Sequence, residues 1–539
     1  MYTYTNYTAS PLSPYRVTTA QRDEAGGDNY LYAWAFYDGL GRTIQSQEEA
    51  GQISNIIVAG AGYGPRGVIT ETVPYVVAAA GGVYQAPDWN QPTRRYAYDM
   101  LGRTTVVTNT DNSAVRTAYL YLKTAVLDEL NHQTLREHDA FGRLVSSKQY
   151  SGTFASPNWN ATPYATATYG YNVRDQLTGV VGADNAPTTL TYDLLGRKTA
   201  MSDPDTGAWS YSYDAAHNLL TQTDARGTVL WFGYDALNRL TEKRLSHSGG
   251  QLLAKYYYDE AGYGASKGRR TRSVAYVNGA ANNTTSASYD SRGRVTSTTL
   301  NLDGVNYTTG YSYDAADRVA SLTYPGGEVV SHTYNPRGLL KTVVGAATYV
   351  ADSFYNPLRQ VTGRYLGANG VVRQAYSYTA AENFRLVTLQ SGTSPSYNNR
   401  QNISYRYDDA GNVLSIVDAA AYGGSQTQSF SYYNNALNQL WTAQATGGSY
   451  GTYSPRGYQY NNAGNLTSFE GNAYAYHDAG HKHGVTHIGG VQKYWYDANG
   501  NVTRRIAPWG TDITLAYDAE NRLTQVSGGV TARDRKSVV

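Results

Sequence analysis

Tyr192-Asp193-Leu194-Leu195-Gly196-Arg197 decides how this chain is read, because it is one copy of a pattern that recurs. The pairs Tyr171-Asn172, Tyr192-Asp193, Tyr213-Asp214 and Tyr234-Asp235 stand 21 residues apart, as do Tyr313, Tyr334 and Tyr355, and again Tyr496 and Tyr517. A fixed period of this length is the mark of a repeat architecture and overrides any domain count based on length. Roughly sixteen Tyr-Asp or Tyr-Asn signatures lie between Tyr37 and Tyr517. Longer steps between some of them read as loop insertions. Degenerate copies such as Tyr63-Gly64-Pro65-Arg66-Gly67, His138-Asp139-Ala140-Phe141-Gly142 and Tyr476-His477-Asp478-Ala479-Gly480 keep the frame.

The position four after the lead Tyr is the most informative. It holds Gly41, Gly102, Gly196, Gly293, Gly338, Gly411, Gly464 and Gly500, and elsewhere Asn238, Asn521, Asp317 and His217. These types share tolerance for positive φ, so the column predicts one left-handed backbone conformation. The Asp at the corner before it accepts backbone N–H groups as an Asx-turn does, and a type I turn closed by a left-handed residue makes a hairpin loop. The turn signature is therefore Tyr98, Asp99, Gly102 and Arg103; Tyr192, Asp193, Gly196 and Arg197; Tyr234, Asp235, Asn238 and Arg239; Tyr496, Asp497 and Gly500; and Tyr517, Asp518 and Asn521.

Before the turn, Tyr alternates as in Tyr96/Tyr98, Tyr211/Tyr213 and Tyr494/Tyr496, which sets both rings on one face of a strand. After it, Arg239-Leu240 or Asn412-Val413 continues into the next strand, and the Arg is placed to lie over a neighbouring Tyr. Second turn signals fall at Asp203-Pro204-Asp205-Thr206-Gly207, Asp224-Ala225-Arg226-Gly227, Asp303-Gly304 and Pro325-Gly326-Gly327. Two turns per period leave two short strands and almost no room for helix. A lone hairpin is unstable in water, so successive hairpins must pair edge to edge, predicting an all-β fold in one long curved sheet, spiral or shell.

Composition agrees and narrows the function. Among 539 residues, 53 are Tyr against 8 Phe and 3 Met, a phenolic bias that suits half-wet strands. Charged residues are 16% of the chain and the net charge is +2 without blocks of either sign, which argues against a nucleic-acid partner. No Cys is present, so neither disulfides nor thiolate metal sites contribute. The N-terminus has no apolar signal-like stretch, and no run approaches the length of a membrane span.

Several patterns that could carry chemistry coincide with turn structure. Gly62-x-Gly64-x-x-Gly67 follows the apolar run from Ile56 and imitates a dinucleotide-binding turn, but Pro65 and Val68-Ile69-Thr70 do not start the helix such a site needs. No cofactor is expected. His477, His481, His483 and His487 are spaced for one strand face, where imidazoles collect zinc or copper, yet Gly480 and Gly484 interrupt that strand. A polar loop is the favoured reading, with a metal-dependent enzyme at this cluster as a remote rival. Asp203/Asp205 and Asp408/Asp409 sit at recurrent turn corners and do not suggest an acid-base pair. No catalytic residue and no metal ligand are assigned. A binding alternative remains in which Trp209, Trp231, Trp441 and Trp495 stack on cell-surface glycans; inward packing of these rings is favoured.

The unit Tyr96-Ala97-Tyr98-Asp99-Met100-Leu101-Gly102-Arg103, returning near every 21 residues from about 30 to 527, resembles the YD repeat of the Rhs/teneurin family. The stretch from His483-Gly484-Val485-Thr486 to Tyr517-Asp518-Ala519-Glu520-Asn521-Arg522-Leu523 is similar to the approach to that family's core domain. The resemblance implies a hollow β shell that encloses a C-terminal effector in bacterial toxins, or supports cell-surface contacts in teneurins, on a secreted or surface protein. The family's self-cleaving aspartate motif is not seen. The expected organisation is a lead-in over 1–29, degenerate repeats over 30–90, tandem repeats over 91–527 and an out-of-frame tail over 528–539 read as a truncation scar. The expected partners are an effector and further shell segments outside this chain.

Overall fold

The computed structural model describes residues 2–5, 14–22, 30–50, 55–421, 423–449, 451–528 and 532–533. Of the tail expected to leave the repeat frame, residues 529–531 and 534–539 lie outside the described residues, as do 1, 6–13 and 23–29 of the lead-in. Ala532–Arg533 forms a short strand paired with Gln525 and Val526. The described chain is strand and turn throughout, interrupted by two 3-10 turns at Ala368–Gly370 and Ala380–Glu382.

Two compact units are present, one made of residues 1–135, 150–161 and 311–455, the other of 136–149, 162–310 and 456–539. In the second unit Ala165–Tyr171, Leu177–Val181, Pro187–Tyr192, Lys198–Asp203, Gly207–Tyr213, Leu219–Thr223, Val229–Tyr234 and Leu240–Leu245 each pair antiparallel with the next. Its later part runs Tyr494–Tyr496, Val502–Ile506, Asp512–Tyr517 and Leu523–Ser527 in the same manner. The first unit repeats this meander, for example through Val329–Tyr334, Leu340–Val344, Thr348–Tyr355 and Val361–Leu366.

The glycine-rich run from Ile56 is strand Ile56–Gly64, turning at Pro65-Arg66 into strand Gly67–Thr72; strand, not helix, follows its glycines.

Along Pro187–Tyr192 and Gly207–Tyr213, residues alternate between exposed and half-buried, as a strand with one face to water requires. The covered face is nowhere sealed in this region. Between residues 166 and 223 only Ala186 is buried. A sheet packed under a second layer would bury a whole face, so here the tall Tyr and Leu side chains shelter one another along a single layer. Full burial is local, as at Leu230, Ala254, Tyr256, Val274 and Ala275.

Candidate functional site

The repeated turn is the unit from which any function must be built. At Asp193, the Gly196 N–H donates to the Asp193 carbonyl (3.1 Å) and the Asp193 N–H donates to the Arg197 carbonyl (2.9 Å). Oδ1 of Asp193 accepts the Leu195 and Arg197 N–H groups, both at 2.9 Å, while Oδ2 accepts Arg197 Nε at 2.7 Å. One carboxylate thus satisfies two loop donors and fixes the guanidinium. Gly196 closes the turn at φ 86° and the strand register shifts between Thr191 and Tyr192, the bulge that accompanies a left-handed loop residue. Asp99 with Gly102 and Arg103, Asp235 with Asn238 and Arg239, and Asp518 with Asn521 and Arg522 repeat these bonds. At Asp497 the partner is Asn501, whose Nδ2 donates to Oδ2 at 3.0 Å, with Gly500 left-handed.

The lead Tyr ties each hairpin to the one before. Tyr192 donates its hydroxyl to the Leu177 carbonyl, Tyr234 to Leu219 and Tyr517 to Val502, each 15 residues back. Tyr98 reaches Val68 and Tyr496 reaches Val485. The turn Arg completes the link. Arg197 lies 4.7 Å from the ring centre of Tyr213, whose hydroxyl donates to the carbonyl of Lys198, the residue after that Arg. The same triad recurs as Arg103, Tyr119 and Thr104, as Arg239, Tyr258 and Leu240, and as Arg318, Tyr334 and Val319. Each hydroxyl bond contributes about 1 kcal/mol and each exposed cation–π contact about 0.5–1 kcal/mol, so the array is held by many small equal terms.

These contacts set the ionisation. The Arg197 N–H, opposed by partial burial and aided by its guanidinium, holds the Asp193 carboxyl below its ordinary value; Asp235 is lowered in the same way by Arg239. Burial pushes the Tyr213 phenol up against the pull of Arg197, and pushes Tyr496 up to about 12.

Where the corner is Asn instead of Asp, the partner changes with it. Asn172, Asn356 and Asn435 each donate their amide to a Gln four residues on, at 2.7, 2.8 and 3.0 Å to Gln176, Gln360 and Gln439. Arg359 stands in the left-handed column at φ 65°, outside the Gly, Asn, Asp and His set, and is held there by Glu48, whose carboxylate takes its guanidinium at 2.5 Å.

Within the second unit, later turns dock on earlier ones. Asn499, 7% exposed, donates to Asp224 Oδ2 (2.6 Å) and Asn521 Oδ1 (2.8 Å) and accepts the Arg226 N–H (3.2 Å). Arg226 reaches the Asp518 carbonyl (3.0 Å) and Lys243 pairs with Glu520 (3.0 Å). Approach is so close that a Cβ on Gly207 would meet the Ala498 carbonyl at 2.7 Å, and one on Gly500 the Asp205 carbonyl at 2.6 Å. A cavity of about 640 Å³ beside this seam is lined by Leu245, Tyr276, Glu520 and Arg522 among others. The first unit has a corresponding seam, in which Arg337 pairs with Glu48 (2.7 Å) and His132 Nε2 bonds Asn434 (2.8 Å).

The four clustered histidines part company. His477 and His487 face each other with ring centres 4.6 Å apart, His481 Nδ1 bonds Asp478 at 2.7 Å, and His483 turns to Asp205 and Asp184. Among the described residues no group of three or more metal-ligating side chains is arranged to hold an ion. Trp441 is exposed, packed at 5.9 Å against Tyr433, while Trp209, Trp231 and Trp495 are half-buried, Trp495 under Arg504 at 4.3 Å.

The RHS repeat family model matches residues 171–208, 199–229, 213–250, 289–329 and 496–531. These stretches carry RHS repeats. No curated protein sequence matches the chain. Its fold is similar to that of TcdB2-TccC3, with a TM-score of 0.82 at 17% identity over 99% of this chain and 31% of that one. TcdB2-TccC3 without its hypervariable C-terminal region gives 0.80 at 17% identity, over 98% and 30%. The Photorhabdus luminescens Tc holotoxin pore gives 0.79 at 17% identity, over 97% and 29%. At such identity the likeness is one of fold, and the chain spans about a third of the length of these proteins. Among its described residues no helix is long and apolar enough to cross a membrane.

Proposed function

We propose that this RHS chain is a wall segment of a larger shell that encloses or presents another polypeptide, outside the producing cell or at its surface. No residue acts as a catalyst in this reading; the sheet works collectively. The observation that carries it is the single-layer hairpin array in the second unit, with one turn row docked through Asn499 and another left exposed at Val173, Leu194, Leu195 and Leu237. Contiguous apolar edges of this kind mark surfaces that further protein covers, and here the cover is a further shell segment. The solved proteins of like fold are roughly three times longer, which is consistent with a chain that is one segment of a larger assembly. Electron cryomicroscopy of the purified chain tests the reading: a thin curved wall around solvent is expected, and a filled two-layer sandwich overturns it.

A further inference from the structure

His483 is gripped from both sides. Its Nδ1 lies 2.5 Å from Asp205 Oδ2 and its Nε2 lies 3.1 Å from Asp184 Oδ2, while its backbone N–H donates to Asp205 Oδ1 at 2.8 Å. The two carboxylates come from neighbouring turns: Asp184 between strands Leu177–Val181 and Pro187–Tyr192, and Asp205 between Lys198–Asp203 and Gly207–Tyr213. His483 itself belongs to the loop that leaves strand Asn472–Ala475 and returns at His487–Ile488. The backbone of that loop adds one more bond to the same turn, Lys482 N–H to the Pro204 carbonyl at 3.3 Å.

An ionised carboxylate only accepts hydrogen bonds, so a ring that bonds Asp205 through Nδ1 while a second carboxylate oxygen lies 3.1 Å from Nε2 is best satisfied as the imidazolium, which carries a proton on each nitrogen. We propose that His483 is a pH-released latch, joining its loop to the turns of Asp184 and Asp205 while protonated and letting go when the proton leaves. On deprotonation one nitrogen turns a lone pair towards a carboxylate, and that contact becomes repulsive. The other charged groups near the ring do not reverse this: Asp203 adds a third negative charge, though its oxygens are engaged by the Asp205 and Thr206 N–H groups and by Thr188, and Asp478 is occupied by His481 on the same loop. Burial lowers the proton affinity of His483, but Asp205, Asp184 and Asp203 outweigh it and the balance is upward. The sign follows: the latch is complete below the ordinary histidine value near 6.5 and is lost as pH rises through the higher folded value. The remainder of the seam is built on Asn499, Asp224 and Arg226 and does not depend on the imidazole, so opening is confined to the loop.

Hydrogen exchange of the whole chain, read on peptides covering 477–486 and corrected for intrinsic rates, tests this. Protection is expected to fall about tenfold between pH 6 and pH 9. In His483→Gln it should be low and flat across that range. His483→Lys should keep protection to pH 9, and His481→Gln should retain the wild-type transition. A wild-type transition that persists in His483→Gln, or protection in the wild type that does not change with pH, overturns the latch. Neither result touches the wall reading above, which depends on the array and not on this loop.

Discussion

Two sets of turns in the second unit share one internal chemistry and differ at their tips. At Asp193 the carboxylate takes the N–H groups of Leu195 and Arg197, and at Asp497 it takes those of Asn499 and Asn501, at distances within about 0.1 Å of each other. Yet the tip residues of the first set stand in water, with Val173 100%, Leu194 84% and Leu237 71% exposed, whereas Asn499 of the second set is buried. The backbone solution is therefore independent of what lies across from it. The tip is the variable position, and it records its surroundings: amide and carboxylate where the seam offers Asp224, Arg226 and Lys243, leucine where the tip stands in water.

Exchanging tips breaks the comparison most sharply. Asn499→Leu removes one donor to Asp224, itself 5% exposed, leaving the carboxylate to Arg226 and the Thr228 N–H, and it also removes the amide that binds Asn521 and the Arg226 N–H. A loss of about 3 kcal/mol is expected in urea unfolding, with increased exchange in 220–228 and 495–501. The reciprocal Leu195→Asn, on the exposed row, should change stability by less than about 0.5 kcal/mol. Equal effects at both sites would mean that the tips do not read their neighbours.

The contrast also separates what the sequence displays from what it hides. Everything within one turn is local, residue i acting on i+2 and i+4, so the left-handed column, the corner Asp and the period are visible as columns of type. The amide exchange of Asn172 with Gln176, repeated at Asn356 and Gln360, was visible on the same terms, as two columns changing together. The seam was not. It joins residues 273 to 292 positions apart, as Arg226 to Asn499 and to Asp518, and one of its acceptors, the Asp518 carbonyl, carries no residue type. For the same reason Asp205 appeared as another turn corner, and only the folded chain brings His483 to it. The tyrosine link lies between these cases: the 21-residue step is plain, but a hydroxyl reaching a carbonyl 15 residues back depends on strand spacing and bulge geometry.

A smaller effect is expected from that link on either set. Tyr213→Phe deletes one hydroxyl bond to Lys198 and should cost about 1 kcal/mol. Arg197→Ala removes the cation over the same ring together with the partner of Asp193, again for about 1 kcal/mol. Since Arg197 and Tyr213 touch, the double variant should lose less than the sum of the two. Strict additivity, measured by denaturant unfolding of the four proteins, would show that the ring and the guanidinium are neighbours without being coupled.

The smallest expected difference concerns acid. Asp193 is held below its ordinary value chiefly by the Arg197 N–H and then by its guanidinium. A depressed carboxyl stabilises the fold above its unfolded value, near 3.9, and that contribution is lost as pH falls through the lower folded value. The Asn172 and Gln176 pair spans the same four-residue turn without a carboxylate at the corner. Converting one type into the other by Asp193→Asn with Arg197→Gln should therefore be nearly neutral at pH 6, because an amide pair that spans the same turn elsewhere replaces the ion pair. Between pH 5 and pH 2 the urea midpoint of the variant should fall by slightly less than that of the wild type, the missing portion being the share of one corner among many. The turn of Asp497 refines this further, since it pairs with Asn501 and lies 3.6 Å from Arg226 across the seam. Asp497→Asn should weaken the seam at neutral pH, where the exchange on the exposed row is nearly neutral, so that one carboxylate type reports local turn chemistry in one place and docking in the other.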